Sequence, residues 1–132
     1  MQTAKLIKFS DEVCIDSSLY VYETGSLLPF DIKRVFTVIS KVGIIRGNHA
    51  HKKCSQLLVC VSGEIEVITD NGNQEVAYKL SDMSQGLLIP PGIWASQKYL
   101  EQNSVLMVLC DALYDAGDYI HNYDYFKKLY WN

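Results

Sequence analysis

The segment from Leu57 to Leu80 limits the fold more than any other stretch, because it reads as two strands and a returning third joined by tight turns. Leu57 to Val61 is a nearly continuous apolar run, the pattern of a strand buried on both faces. Glu64 to Thr69 then alternates, with Ile65, Val67 and Thr69 on one face and Glu64, Glu66 and Ile68 on the other. Asp70-Asn71-Gly72-Asn73 offers residues that tolerate the positive φ of a hairpin, and Glu75 to Leu80 returns as the partner strand. Leu6 to Phe9, Leu19 to Tyr22, Ile32 to Ser40, Gly86 to Ile89 and Val105 to Cys110 continue the series. Many short strands at turn-bounded intervals predict an all-β antiparallel sandwich or barrel. No linker or internal repeat divides the 132 residues, so residues 1–132 read as one domain.

Only the tail differs. Tyr119, Ile120, Tyr123, Phe126 and Tyr130 recur at helical spacing, Asp115 to Asp118 offers caps, and Lys127 and Lys128 fall where the helix dipole favours cations. The aromatic stripe is expected to pack a short C-terminal α-helix on the barrel or a second subunit, with His121 a surface or interface residue of that helix.

Composition narrows the function. Twelve basic against 15 acidic side chains give a net charge of -3 with no block of like charge, which excludes an ordinary nucleic-acid binder. Cys14, Cys54, Cys60 and Cys110 are widely spaced and form no Cys-X-X-Cys pair, so buried reduced thiols and a cytoplasmic setting are expected. The longest apolar run, Val105 to Cys110, falls far short of the roughly 20 residues of a membrane span, so no membrane role is expected. A chain this short encloses a substrate most readily as a homodimer.

His49-Ala50-His51 is the chemical centre of the sequence. Two imidazoles one residue apart on a strand face the same way. In order and spacing, Gly47, His49, His51, Gln56 and Gly63 resemble the first signature of the cupin family, and Pro90-Pro91-Gly92 resembles the second. The resemblance implies a cupin double-stranded β-helix, or jelly-roll barrel. Metal-binding cupins have an acid where Gln56 stands and a third histidine where Ala95 stands. Two imidazoles are fewer than a catalytic metal normally takes, so neither metal nor cofactor is expected, and His49 and His51 are free for acid/base work.

The likeness narrows further. Pro29-Phe30-Asp31-Ile32-Lys33-Arg34-Val35, Arg46-Gly47-Asn48-His49-Ala50-His51-Lys52-Lys53 and Asp118-Tyr119-Ile120, in that order, resemble the sugar 3,4-ketoisomerases acting on dTDP-4-keto-6-deoxyglucose. Such enzymes move a ketone from C4 to C3 through an enediol, in deoxysugar biosynthesis for O-antigen, lipopolysaccharide and S-layer glycans. The resemblance implies a dTDP-linked keto sugar as ligand and His49 and His51 jointly as base and acid. It makes Arg46 a contact to the diphosphate, on the histidine face only if the Gly47 region stays extended, and adds Arg34, Thr37, Gln56, Trp94 and Lys98 as substrate contacts. Gln56 is either a participant or a partner bonding the imidazoles, and Trp94 and Tyr99 are either core or an aromatic surface for the thymine base.

Three positions depart from that family. A tyrosine is expected at Thr37, an arginine or histidine at Ala95, and an arginine or tyrosine near Asp16. The last two bear on the face at which C4 is reprotonated, so the galacto or gluco outcome does not follow. The room left at Ala95 is expected to be filled by water, by Lys98 or by another sugar substituent. A related cupin epimerase and a catalytically impaired nucleotide-sugar-binding subunit are the alternatives, with a metal-dependent cupin dioxygenase disfavoured by its ligand count. A base titrating within about a unit of free histidine is expected in the pH-rate profile.

Overall fold

The computed structural model describes residues 2–9, 11–13 and 16–131. Its strands are β1 (Lys5–Lys8), β2 (Asp11–Val13), β3 (Ser18–Tyr20), β4 (Arg34–Ser40), β5 (Ile45–His51), β6 (Gln56–Ser62), β7 (Ile65–Asp70), β8 (Glu75–Leu80), β9 (Gln85–Ile89), β10 (Trp94–Tyr99), β11 (Ser104–Cys110) and β12 (Tyr119–Ile120), followed by helix α1 (Tyr123–Tyr130). Two five-stranded sheets, β1-β9-β6-β11-β4 and β12-β5-β10-β7-β8, form the jelly roll, and β2 and β3 pair separately.

Alternation along each strand sends one set of side chains between the sheets. From the first sheet come Leu58, Cys60, Leu87, Leu106 and Val108; from the second come Ile65, Val67, Leu80 and Tyr99. The continuous apolar character of β6 has the anticipated cause. Its outward residues Leu57 and Val59 are buried too, under Ile7, Phe9 and Leu28 from the N-terminal segment.

The turn Asp70-Asn71-Gly72-Asn73 forms as read, with the Gly72 amide donating to Asp70 Oδ1 at 2.8 Å and Gly72 at φ 89°. A Cβ there would lie 2.1 Å from the Tyr130 carbonyl oxygen, so glycine is needed for both the turn and the close approach of the tail. Tyr123 donates its hydroxyl to Asp70 Oδ2 at 2.5 Å, a second tie between tail and hairpin.

The tail differs from its reading. Asp115 caps a single 3-10 turn, Ala116–Asp118, rather than the helix. Tyr119 and Ile120 pair with His51 and Ala50 as a strand, because ladder bonds to β5 outweigh the local helical pattern. The helix begins only after Asn122, whose side chain accepts from the Tyr125 amide, so His121 precedes it. Phe126 packs with Ala50 and Ile120, and Trp94, Tyr123 and Tyr130 close over them. Among the described residues no helix is long and apolar enough to cross a membrane. Cys54, Cys60 and Cys110 are buried and free, and Cys14 lies outside the described residues.

Candidate active site

His49 and His51 leave β5 on the same side, and their rings meet edge to face with centroids 5.1 Å apart. Tyr119, opposite His51 across the β12–β5 pair, places its ring 4.4 Å from His51 and 4.9 Å from His49. His121 stacks on Tyr119 at 5.4 Å.

Arg46 reaches the same cavity by a route opposite to the expected one. Residues three apart on a regular strand point to opposite faces. Here the pairing with β10 runs Ala95↔His49 and then Ser96↔Gly47, so Asn48 is an extra, unpaired residue. Gly47 and Asn48 have φ of 87° and 57°, which glycine accepts freely and asparagine better than most. This bulge restores Arg46 to the inward side, opposite Gln97. The extended Gly47 region of the sequence reading is therefore absent, and its absence is what brings Arg46 to the site.

His51 has a partner that spacing alone does not show. Its Nδ1 lies 3.0 Å from Asp118 Oδ2, and the same carboxylate accepts the amides of Lys53 at 2.7 Å and Cys54 at 3.2 Å. Three donors fix the carboxylate, which in turn fixes the ring and its tautomer. Nδ1–H donates to Asp118, leaving the lone pair on Nε2, which is buried without a partner among the described residues. Burial lowers the His51 pKa, and the Asp118 hydrogen bond and charge oppose that shift. His49 has only a backbone hydrogen bond to Gly47 to support its charged form, and burial and the neighbouring His51 push it down to about 4.

Two cavities meet at these residues. The outer one, about 90 Å³, is walled by Phe36, Val38 and Leu58 on one side and by Arg46, His49 and Gln97 on the other. The inner one, about 10 Å³, lies among His49, His51, Gln56 and Ala95. Gln56 borders both, and its Nε2 donates to Cys110 Sγ at 3.5 Å rather than to an imidazole. The neighbouring Cys54 thiol and then the Gln56 amide hold the Cys110 thiol below its ordinary range, against the opposing effect of burial. Arg34 points inward on β4, its guanidinium over the Phe36 and Tyr114 rings at 4.6 and 5.2 Å.

Three expected contacts lie elsewhere. Thr37 is on the exposed face of β4, one residue out of phase with Arg34, Phe36 and Val38. On β10, Ala95, Gln97 and Tyr99 turn inward, so Trp94 and Lys98 turn outward. Trp94 packs on Tyr123 and Phe126, and Lys98 is exposed opposite Ile45 and Glu66, which also prevents it from filling the room at Ala95. Asp16 is exposed between β2 and β3.

Among the described residues, one set of three metal-type donors lies together: His51, Cys54 and Asp118, within 4.8 Å. It is not the cupin ligand set, since His49 is outside it and the His51 and Asp118 atoms already bond one another. The arrangement suits proton transfer: a carboxylate-backed imidazole with a free lone pair, beside a second imidazole kept neutral.

The His49 shift lies outside the expected range of titration, and the His51 shift runs in the same direction. Bases acting as neutral imidazoles stay competent further into acid, so the acid limb of kcat/KM should lie below 6.5, near 4 if His49 limits it. Stability should follow the same sign. The unfolded chain binds protons that the buried imidazoles refuse, so stability is full above pH 6.5 and falls as pH drops toward 4. Rate profiles and thermal unfolding across that range check both; a midpoint at 6.5 would mean solvated imidazoles.

The fold and the histidine pair define a cupin-type jelly roll with an acid/base site. The profile of the family described as "FdtA: WxcM-like, C-terminal" matches residues 1–131, and the chain belongs to that family. It is 39% identical over 125 residues to the TDP-4-oxo-6-deoxy-alpha-D-glucose-3,4-oxoisomerase of Aneurinibacillus thermoaerophilus, covering 94% of this chain and 90% of that protein. Among solved structures it is similar to QdtA, a sugar 3,4-ketoisomerase from Thermoanaerobacterium thermosaccharolyticum in complex with TDP. The TM-score is 0.91 at 36% identity, over 96% of this chain and 93% of that one. A histidine-to-asparagine mutant of QdtA in complex with TDP-4-keto-6-deoxyglucose matches with a TM-score of 0.93 at 34% identity, over 98% and 95% of the two chains.

Proposed function

We propose that this protein is a sugar 3,4-ketoisomerase, moving the ketone of a dTDP-4-keto-6-deoxyhexose from C4 to C3. The observation that carries the reading is the Asp118–His51 pair with its unpartnered Nε2, beside His49 at one cavity. The C3 hydrogen is acidified by the neighbouring carbonyl. His51 takes that proton, because Asp118 stabilises the imidazolium that forms. The C3–H electron pair forms the C3–C4 double bond as the carbonyl pair moves onto the C4 oxygen, giving an enediolate whose C4 oxygen then takes a proton through His49 to become the enediol. The C3 hydroxyl then loses its proton as C4 gains one, leaving the ketone at C3. His49, neutral at working pH, is placed to exchange protons with the sugar oxygens. Arg46 faces the cavity rim, where a guanidinium suits the diphosphate.

Incubation with dTDP-4-keto-6-deoxyglucose in deuterated water tests this. Deuterium at C4 of a 3-keto product is expected. Deuterium at C3 or C5 of an unchanged 4-keto sugar would instead indicate an epimerase, and dTDP binding without exchange a binding subunit.

The working form is proposed to be a homodimer. The strand β4 is a sheet edge whose outward side exposes Val35 at 53% and Ile39 at 67%, with Val42, Ile44 and Ile45 exposed after it. An apolar edge of this kind favours pairing with another chain. Ile39→Lys is expected to yield monomers in sedimentation velocity; an unchanged sedimentation coefficient would place the interface elsewhere. Free buried thiols at Cys54, Cys60 and Cys110 support a reducing, cytoplasmic setting.

A further inference from the structure

The inward side of β10 carries Ala95, Gln97 and Tyr99 in succession, with Ala95 opposite His49 and Gln97 opposite Arg46. Ala95 borders only the inner cavity and Tyr99 only the outer, whereas Gln97 borders both. The amide of Gln97 lies against the β5 bulge. A Cβ on Gly47 would stand 2.7 Å from Gln97 Oε1 and 3.0 Å from Nε2, so the glycine leaves room for this amide beside His49. Next on the inward side, the fully buried Tyr99 has a hydroxyl with no partner among the described residues, on the wall of the outer cavity. A buried hydroxyl retained without a partner is an independent sign that this wall meets an oxygen-bearing ligand.

The reaction proposed above creates a specific need. Removing the C3 proton puts negative charge on the C4 oxygen, and a fixed neutral donor at that oxygen stabilises the charge without exchanging a proton. Gln56 is poorly placed for the task, since its amide is turned to Cys110 Sγ. Gln97 lines the inner cavity together with His49, His51 and Ala95. We propose that Gln97 Nε2–H donates to the C4 oxygen of the keto sugar and holds it as the enediolate forms. No proton leaves the amide; the bond strengthens as charge develops on the C4 oxygen and relaxes when that oxygen is protonated. This inference rests on the ketoisomerase reading.

Gln97→Leu removes the donor, and Gln97→Glu keeps the shape while setting a carboxylate against the developing charge. With the full-length protein, kcat should fall by about 10²-fold or more in both, with KM within about threefold, because the contact is strongest in the transition state. Release of the C3 deuteron from C3-deuterated substrate should slow in step with kcat. Thermal unfolding within a few degrees of the wild type certifies each variant, and the near-isosteric Gln97→Glu serves if Gln97→Leu misfolds. A kcat within threefold of the wild type, or a loss confined to KM, overturns the assignment. Wild-type protein that exchanges no deuterium would remove the ketoisomerase reading and this inference together, whereas an active wild type with unaffected variants removes the inference alone.

Discussion

Replacing His51 with asparagine is expected to lower kcat by about 10³-fold or more while leaving dTDP affinity intact. The imidazole Nε2 is the buried lone pair at the site, and asparagine has no group of comparable basicity there. Its amide can still donate to Asp118, so the carboxylate and the two backbone amides it holds stay in place. Binding, which uses Arg46 at the rim, should therefore persist in calorimetry. Asp118→Asn acts on the same proton from the other side. It removes the charge that stabilises the imidazolium, and an amide turned toward Nδ1 would favour the tautomer with the proton on Nε2. A loss of about 10²-fold or more is expected. His51→Asn retaining activity within tenfold would end the proposed role of this residue, and a larger loss in His49→Asn would transfer it to His49.

Phe126→Ala should produce the largest loss of stability. Phe126 is 0% exposed and packs against Trp94, Tyr123 and Tyr130, with ring centroids 5.7, 6.0 and 5.2 Å away. Truncating a buried phenylalanine costs about 3–5 kcal/mol, because neighbours close only part of the cavity. In a chain of this size that lowers the thermal midpoint by about 10 °C or more. The loss should also reach catalysis. Ala50, between the two histidines, points away from them into the same cluster, so α1 supports the back of the catalytic strand. Thermal unfolding with parallel kcat measurements checks both effects. A midpoint within about 2 °C of the wild type would mean that the helix is not anchored by this ring.

The strands that were legible in the sequence are those whose side chains declare two environments. The alternation of β7 and the doubly buried run of β6 set those elements to within a residue or two, and β8 was read to the residue. The strand β10 gave no such signal. Ala95-Ser96-Gln97-Lys98 lacks β-branched or aromatic residues, and it is extended because β5 and β7 pair with it on both sides. Without those pairings the parity of the segment is not fixed, so nothing local marks Gln97, rather than Trp94 and Lys98, as facing the cavity. In the sequence Asp118 carries only the local pattern of a helix cap and its place in the Asp118-Tyr119-Ile120 block. Its bond to His51 spans 67 residues, and no local pattern encodes such a contact.

The extra residue at Asn48 has one further consequence. It changes the odd-even count of β5, so the guanidinium before it and the imidazoles after it share a side that an ordinary strand would deny them. Deleting that one residue would leave every functional group chemically intact yet send either the charge or the proton-transfer pair to the wrong face. Ligand capture and bond making would then be separated in one molecule, a dissection that no substitution of Arg46, His49 or His51 could achieve.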